Sequence, residues 1–306
     1  MSGGLDILAL GEPLIEFNRQ SDGRWLQGFG GDVSNCAIAA ARQGARAGIL
    51  AHQGADRFGD GLMALWAQEG VDTSRVTRRQ DAPSGIYFVD HDEQGHHFSY
   101  YRHGSAASRM TPEDIRPELF DGVKILHVSG ISQAISETAR AAVDEAIRQA
   151  KQAGTQISYD TNLRLSLWSL DEAKATINAT VPRADILLPG YDDARQLTGL
   201  SDPDAIMRHY LDQGVGIVGL TLGSDGALIG TQDEVRRIEP NKVESVDATG
   251  AGDTFDGSML ARLIAGDDPF TAAIYANAAA ALSTTGYSAV APIPRADAVR
   301  AFLARN

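Results

Sequence analysis

The segment Thr249-Gly250-Ala251-Gly252-Asp253 places a carboxylate beside two glycines, at the start of a helical pattern that continues over residues 254–265. Glycine and alanine leave backbone N–H groups unshielded, and at a helix N-terminus these groups point outward with the positive end of the dipole. Such amides can bind the charge of a phosphoryl group during its transfer. The Asp253 carboxylate lies beside them and can accept the proton of an attacking hydroxyl. The alternative is a glycine-rich turn in which Asp253 only stabilises the first helical turn.

The rest of the sequence must supply the scaffold that positions this segment, and it alternates strand-like and helical patterns. Apolar runs typical of buried strands are residues 7–10, 47–51, 125–128, 156–159, 186–188 and 217–222. Helical patterns are residues 32–43, 136–153, 171–179, 252–265, 269–285 and 295–305. Asp32 is expected to cap the first of these helices. Alternating strands and helices predict a mostly parallel sheet that helices cover on both faces.

Residues 84–102 follow a different pattern, in which Tyr87, Val89, Phe98 and Tyr100 alternate with polar residues. Asp92-Glu93-Gln94-Gly95 separates the two arms, so this region is predicted to be a β-hairpin with a turn at that position. Together with part of residues 13–29, it is predicted to form a small β-sheet that projects from the main domain. The chain is thus interpreted as one domain, residues 1–306, with a small sheet from about 12–30 and 84–105.

Composition excludes several classes of function. The chain has 306 residues and a net charge of −13, which argues against a protein that binds nucleic acid through a basic surface. Cys36 is the one cysteine, so neither an intramolecular disulfide nor a cysteine-based zinc cluster can form, and we expect a buried small hydrophobe. The sequence contains neither an apolar run of about 18 residues nor a recognisable secretory signal. A cytoplasmic protein without membrane contact is expected.

Two longer segments resemble the signatures of the ribokinase-like (PfkB) sugar kinases. Asp247-Ala248-Thr249-Gly250-Ala251-Gly252-Asp253-Thr254-Phe255 resembles the C-terminal signature. Gly30-Gly31-Asp32 with Asn35, followed by Gly54-Ala55-Asp56 and Phe58-Gly59, resembles the N-terminal, substrate-binding signature. The sequence has no G-x-x-x-x-G-K-[ST] loop and no dinucleotide fingerprint after its first strand. The resemblance implies a three-layer α/β/α core, with the small sheet acting as a lid over the sugar, and it implies that Asp253 is the catalytic base.

Within that family, three stretches resemble kinases that act on 2-keto-3-deoxygluconate: Gly11-Glu12-Pro13-Leu14, Tyr100-Tyr101-Arg102 and Asp160-Thr161-Asn162-Leu163-Arg164. By this resemblance the sugar would be held by Gly31, Asn35, Tyr87, Tyr100, Arg102 and Arg164. A keto-acid substrate carries a carboxylate, which an arginine fork matches in bidentate geometry, whereas a neutral ketose would not need two arginines. Arg164 can alternatively face the phosphoryl group, and sequence does not separate these roles.

The same resemblance implies ATP as the phosphoryl donor and Mg²⁺ as its companion ion. Thr221, Gly223 and Gly226 resemble the nucleotide-side loop, although Thr221-Leu222-Gly223-Ser224-Asp225-Gly226 alone is equally an ordinary turn between strands. Asn277 and residues 283–286 would border the adenine. The family's Asn-x-x-Glu motif corresponds here to Gly190-Tyr191-Asp192-Asp193, so Asp193 would contact Mg²⁺ through water. Asp247, with Thr249, would help to bind a monovalent cation.

The resulting hypothesis is transfer of the ATP γ-phosphoryl group to the terminal hydroxyl of 2-keto-3-deoxygluconate. The alternatives are a kinase for a neutral ketose, such as fructose, tagatose or ribose, and a non-catalytic regulator on a kinase fold. A homodimer that pairs small sheets would cover their free edges. His91, His96, His97 and His103 cluster around the hairpin, where an exposed polar surface is favoured over a metal site. Trp168 is expected in the core.

Overall fold

The structure, a computed structural model, describes residues 4–92 and 95–305. In this part of the chain, strands β1 to β13 are Ile7–Leu10, Leu14–Arg19, Trp25–Gly30, Ala47–Gly54, Asp72–Arg79, Gly85–Asp92, Gly95–Tyr101, Ile125–Ser129, Gln156–Asp160, Ile186–Leu187, Ile217–Thr221, Ala227–Thr231 and Val235–Ile238. Helices α1 to α10 are Asp32–Arg42, Arg57–Glu69, Gly130–Ala134, Glu137–Gln152, Leu170–Thr180, Tyr191–Thr198, Pro203–Leu211, Ala251–Ala265, Pro269–Ser283 and Ala296–Leu303.

Nine strands form one large sheet in the order β13-β12-β11-β10-β9-β8-β1-β4-β5. The pairs from β11 through β10, β9, β8, β1 and β4 to β5 are parallel, and β12 and β13 add an antiparallel edge. The central strands β1 and β8 are buried along their whole length, because helices cover both faces of the sheet. One apolar core packs against α4, α5, α6 and α7, and a second packs against α1, α2, α8 and α9.

A separate four-stranded sheet has the order β3-β2-β6-β7 and is called the small sheet below. Its pairs β2–β3 and β6–β7 are antiparallel, and β2–β6 is parallel. Tyr87 lies opposite Tyr100, and Val89 lies opposite Phe98, so the predicted hairpin is confirmed. Glu93 and Gln94 of the predicted turn lie outside the described residues. The fold class predicted from the sequence is confirmed.

The predicted elements are found with ends that differ by a few residues, and one local prediction is wrong. Asp32 does not occupy the cap of α1: the N-cap is Gly31, at a φ of 95°, which offers no side-chain hydrogen bond to the helix. The Asp32 carboxylate instead accepts a hydrogen bond from the Ser129 hydroxyl, at the end of β8. Cys36 and Trp168 are buried, as predicted. Over the described residues, none of the helices has the length and apolar character needed to cross a membrane.

Candidate active site

A cavity of about 640 Å³ lies where the carboxyl ends of the parallel strands meet the small sheet. Asp160 ends β9, Gly190 follows β10, and Thr221 ends β11, and all three line its wall. Loops at this edge of a parallel sheet are the usual place for ligand binding in such folds. The start of α8 closes one side of the cavity, and Tyr87 and Tyr100 of the small sheet face it from above. Thr249, Gly250, Gly252 and Asp253, from the segment with which the sequence argument began, therefore line the cavity.

Helix α8 begins at Ala251, before the pattern seen in the sequence becomes helical. Gly250 is its N-cap at a φ of 76°, a left-handed conformation that glycine adopts without strain. A Cβ at Gly250 would lie 2.9 Å from the Ala289 carbonyl oxygen, whereas a Cβ at Gly252 would meet no atom within 4 Å. The first amides of α8 therefore have no partner within the helix, and open space lies beyond Gly252. This arrangement can receive an anion.

Asp253 lies in the first turn of α8 and lines the cavity. The Asn35 side-chain amide donates a hydrogen bond of 2.7 Å to Asp253 Oδ2. Burial raises the pKa of Asp253 to about 7 and the nearby Asp32 carboxylate adds to this, while the Asn35 hydrogen bond and the Arg164 charge act in the opposite direction. A carboxylate with a pKa near 7 is well matched to accept a proton at neutral pH.

Four further carboxylates surround Asp253: Asp32, Asp160, Asp193 and Asp256 all line the cavity. Burial raises the pKa of each of them. Repulsion from neighbouring carboxylates adds to the effect at Asp160, Asp193 and Asp256, whereas the Ser129 hydrogen bond and the Arg102 charge oppose it at Asp32. The sequence argument missed the cavity roles of Asp32, Asp160 and Asp256. Asp160 could have been identified, because it directly follows a predicted strand and so lies at the edge of the sheet where ligands bind.

The two arginines predicted to hold a substrate carboxylate have different surroundings. Arg102 is buried, and its Nε donates a hydrogen bond of 2.6 Å to Glu12 Oε2. Its Nη2 lies 2.5 Å from the same oxygen but forms no well-directed hydrogen bond there. The Arg164 side chain is 44% exposed, and its Nη1 lies 3.8 Å from Asp193 Oδ2 and donates to the Leu163 carbonyl. Both line the cavity.

The aromatic side chains of the small sheet form its roof. The Tyr87 hydroxyl donates to Glu16 Oε2, so its proton is already used within the protein. Tyr100 packs on Tyr87 at a centroid distance of 5.9 Å, and the Arg102 guanidinium lies 5.5 Å from the Tyr100 centroid. Burial raises the pKa of Tyr87 well above its ordinary value, which keeps it a hydrogen-bond donor to Glu16.

Most of the predicted site residues come together around this cavity. Those in its wall are Gly31, Asn35, Tyr87, Tyr100, Arg102, Arg164, Asp193, Thr221, Gly250, Gly252 and Asp253. Those outside its wall are Ala251, Gly223, Gly226, Asp247 and Asn277. The Asn277 amide donates 2.8 Å to the Glu239 carbonyl. Gly226 is required by packing, because a Cβ there would lie 2.1 Å from the Ile238 carbonyl oxygen.

Asp56, from the second half of the N-terminal signature, does not line the cavity but holds two segments together. Its carboxylate caps α2 by accepting from the Gly59 amide at 2.8 Å. It also accepts from the amide and the hydroxyl of Ser84, at 2.8 and 2.6 Å, immediately before β6. This part of the signature therefore anchors the start of the hairpin to the main domain.

The carboxylates of the cavity fit a divalent cation that retains its water. Asp160, Asp193 and Asp256 have raised pKa values because burial and neighbouring acids disfavour their charge, and a cation would relieve this. No group of three or more acidic, histidine or cysteine side chains in the described residues is arranged to hold a metal directly. This suits Mg²⁺, which commonly binds through water and substrate phosphates. The side chains of His91 and His96 lie outside the described part of the chain.

Comparison with known proteins decides the family. Residues 5–296 match the model of the pfkB family carbohydrate kinases. The chain belongs to this family. Among its relatives is a 2-dehydro-3-deoxygluconokinase (2-keto-3-deoxygluconate kinase) of Thermoproteus tenax. It is 35% identical to this chain, over 95% of this chain and 92% of the relative. The corresponding enzyme of Bacillus subtilis (strain 168) is 32% identical over 98% and 95%. Fructokinase-1 of Zea mays is also 32% identical, over 94% of both chains.

Solved structures agree with the family assignment. A fructokinase from Vibrio cholerae O395, bound to fructose, ADP and a potassium ion, has a TM-score of 0.89 and 28% identity, covering 99% of this PfkB kinase and 100% of its own chain. A protein assigned as ribokinase II from E. coli, in complex with ATP and Mg²⁺, has a TM-score of 0.90 and 25% identity, with coverages of 99% and 100%. The chain is a sugar kinase, and relatives of the same similarity differ in their sugar.

Proposed function

We propose that this PfkB kinase transfers the γ-phosphoryl group of ATP to the terminal hydroxyl of 2-keto-3-deoxygluconate, giving the 6-phosphate. The observation that carries the choice of sugar is the pair of arginines at one cavity. The Nη2 atom of Arg102 is buried and forms no well-directed hydrogen bond. Arg164 lies near Asp193, and much of its side chain is exposed. A substrate carboxylate would satisfy both groups. The 35% identity to a 2-dehydro-3-deoxygluconokinase supports this choice.

The chemistry proposed for the site is general-base catalysis by Asp253. Its carboxylate takes the proton of the sugar hydroxyl as the oxygen attacks the γ-phosphorus, and the bond to the β-phosphate oxygen breaks to release ADP. Asn35 holds the carboxylate through its 2.7 Å hydrogen bond. The amides at Gly250, Ala251 and Gly252 face the negative charge that develops on the transferred group.

ATP is the proposed co-substrate of this reaction, and Mg²⁺ is the proposed metal ion. The nucleotide would extend from the start of α8 toward Thr221, with Gly223, Gly226 and Asn277 beyond the cavity wall. Mg²⁺ would neutralise phosphate charge when bound, and Asp193 would hold it through water, because its shorter side chain leaves room for a water ligand. Asp247 accepts from the amides of Thr249 and Ser288 at 2.9 and 3.1 Å, and so would shape the loop for a monovalent cation.

A neutral ketose such as fructose is the second candidate substrate. The observation that favours it is the pairing of Arg102 with Glu12, which leaves Arg164 as the less engaged of the two arginines. Several relatives at 31–32% identity are named as fructokinases. A ketose would use the hydroxyl-binding residues Gly31 and Asn35 without needing an anion site.

The experiment that decides between these sugars is ADP release across a panel that includes 2-keto-3-deoxygluconate, fructose, tagatose and ribose. We expect the highest kcat/KM with 2-keto-3-deoxygluconate. Arg164→Met should raise the KM for that acid by about tenfold or more, because a charged hydrogen bond contributes about 1.5–3 kcal/mol, and should change the KM for fructose much less. Arg164 is a cleaner probe than Arg102, whose removal would leave Glu12 buried without its cation.

The matched control is Arg195→Met, on the exposed face of α6, where Nη1 lies 3.9 Å from Asp192. It should leave every KM unchanged, since exposed pairs contribute little. Turnover of fructose with none of the acid, or an equal rise in both KM values for Arg164→Met, would contradict the acidic substrate.

A homodimer through the small sheet remains part of the proposal. Trp25, Leu26, Phe98 and Tyr101 expose apolar surface on this sheet, and β3 and β7 are its edge strands. Exposed aromatic surface beside open strand edges is typical of a protein interface. Light scattering should give twice the mass of 32.5 kDa, and the mass of a single chain would contradict the dimer.

A further inference from the structure

The chain passes between the large sheet and the small sheet at four places. These crossings are from β1 to β2, from β3 to α1, from β5 to β6, and from β7 to the segment around Ser105. Glu12 lies in the first crossing, and Arg102 and Ser105 lie in the last, 90 and 93 positions further along the chain. The contacts among these four crossings therefore help to set the orientation of the small sheet over the cavity.

The Glu12 carboxylate, in the first crossing, contacts the fourth crossing and lies against the start of β6. Glu12 Oε2 accepts the 2.6 Å hydrogen bond from Arg102 Nε, and Glu12 Oε1 accepts a hydrogen bond from the Ser105 hydroxyl. A Cβ on Gly85, the first residue of β6 and directly after the third crossing, would lie 2.7 Å from Glu12 Oε1. The first crossing, the fourth crossing and the start of β6 are therefore packed around the two oxygens of a single side chain.

This pair is buried, unlike a second ion pair on the same small sheet. Side chains of Glu12 and Arg102 are 1% and 8% exposed. Arg19 and Asp90, whose atoms approach to 3.0 Å, are 50% and 43% exposed. Removing one partner of a buried pair leaves an uncompensated charge, whereas an exposed pair contributes little. The Glu12–Arg102 pair at the base of the small sheet can thus be tested against the exposed Arg19–Asp90 pair within the sheet.

Arg102 also connects this contact to the cavity. Its guanidinium lies in the cavity wall and beside the ring of Tyr100. Nε donates to Glu12 Oε2, while Nη2, at 2.5 Å from the same oxygen, forms no well-directed hydrogen bond. Glu12 therefore holds the guanidinium beside Tyr100, which lies two residues earlier in the chain, in β7.

We propose that Glu12 is a positioning residue that holds the small sheet closed over the cavity by tying its crossings together. Glu12 contacts no reacting atom in this arrangement and acts through Arg102, Ser105 and Gly85. Without the carboxylate, the small sheet sits less firmly over the cavity, so the sugar binds more weakly. Water also gains access and attacks the γ-phosphorus in place of the sugar hydroxyl, giving ADP and inorganic phosphate. The role requires only the sugar kinase activity and holds for either candidate sugar.

The experiment compares Glu12→Gln with Asp90→Asn, which makes the same carboxylate-to-amide change on the exposed pair. The acceptor is whichever of 2-keto-3-deoxygluconate and fructose gives wild-type enzyme the higher kcat/KM. Three quantities are measured: the KM for the sugar, the ratio of ADP to sugar phosphate formed, and the Kd for ADP. For Glu12→Gln we expect a KM raised about tenfold or more, a ratio raised from about one to about two or more, and an ADP Kd within about twofold of wild type.

Ser105→Ala provides a milder variant, because it removes the donor to Glu12 Oε1 and leaves the ion pair in place. It should move the KM and the ratio in the same direction by about twofold to fivefold. Asp90→Asn should leave all three quantities at wild-type values. A folded Glu12→Gln with wild-type KM and ratio, or with a loss confined to kcat, would overturn the positioning role. If Glu12→Gln does not fold, wild-type KM and ratio in Ser105→Ala overturn it instead.

Discussion

The start of α8 and the crossings of the small sheet both hold buried carboxylates, and they differ in their counter-charges. Asp253 has an amide from Asn35 as its hydrogen-bond partner and other carboxylates as neighbours, and its pKa is raised to about 7. Glu12 has the Arg102 guanidinium at 2.6 Å. A buried carboxylate without a cation beside it is suited to accept a proton, while the Glu12–Arg102 ion pair holds two segments of the chain together. The Asp253 carboxylate is thus suited to catalysis, and the Glu12 carboxylate is suited to holding the structure together.

Asp253→Asn should produce the largest effect, because it removes the proposed base without changing the shape of the side chain. We expect kcat to fall by about 10³-fold, within the range for loss of a general base. The Kd for ATP should stay within about threefold of wild type, since the amides at the start of α8 remain. Turnover is measured by ADP release and binding by calorimetry. A variant that keeps more than about a tenth of wild-type kcat would remove Asp253 from the reaction.

Gly250→Ala should have the next largest effect, and Gly190→Ala is its control. At Gly250 the φ is 76° and the new Cβ would lie 2.9 Å from a carbonyl oxygen, so the start of α8 must shift. At Gly190 the nearest atom outside the adjacent residues lies at 3.9 Å. We expect Gly250→Ala to lower kcat/KM for ATP about tenfold or more and to destabilise the fold by about 1–3 kcal/mol. Gly190→Ala should change stability by less than about 0.5 kcal/mol.

A smaller effect concerns stability against pH. The pKa of Asp253 rises from an ordinary 3.8 to about 7 on folding, so its protonated form favours the folded state. That contribution is complete below the unfolded pKa and is lost as the pH rises through about 7. Asp253→Asn has no such proton to lose. The Tm of the variant minus that of wild type should therefore increase from pH 5 to pH 8, by an amount equivalent to roughly 1–3 kcal/mol. A constant difference over this range would contradict the raised pKa.

Local patterns were sufficient to predict the α/β scaffold, the hairpin and the position of Asp253. The strands and helices depend on short periodic runs, and Gly250-Ala251-Gly252-Asp253 forms the start of a helix. Glu12 could not be placed by such patterns, because its partners Arg102 and Ser105 lie 90 and 93 positions away. The Asn35–Asp253 hydrogen bond likewise joins residues 218 positions apart. Only the folded chain brings them together.

Sequence also misplaced one residue, Asp32, for a reason that the structure makes clear. Asp32 satisfies the composition of a helix cap, but Gly31 occupies that position and the carboxylate turns to Ser129. Asn277, predicted to border the adenine, donates its amide to the Glu239 carbonyl, and its contact with the nucleotide stays a prediction. Side-chain direction in these cases is decided by a distant hydrogen-bond partner, which residue type and spacing do not specify.

The most direct test of the account is the pH dependence of kcat/KM for the sugar at saturating ATP and Mg²⁺, in wild type and in Asn35→Ala. The Asn35 hydrogen bond lowers the pKa of Asp253 against the effect of burial. We therefore predict that wild-type kcat/KM rises with pH through a single midpoint near 7, and that Asn35→Ala moves this midpoint to higher pH. A wild-type profile that is flat from pH 6 to pH 8, or a midpoint that Asn35→Ala leaves unmoved, would contradict Asp253 as the base.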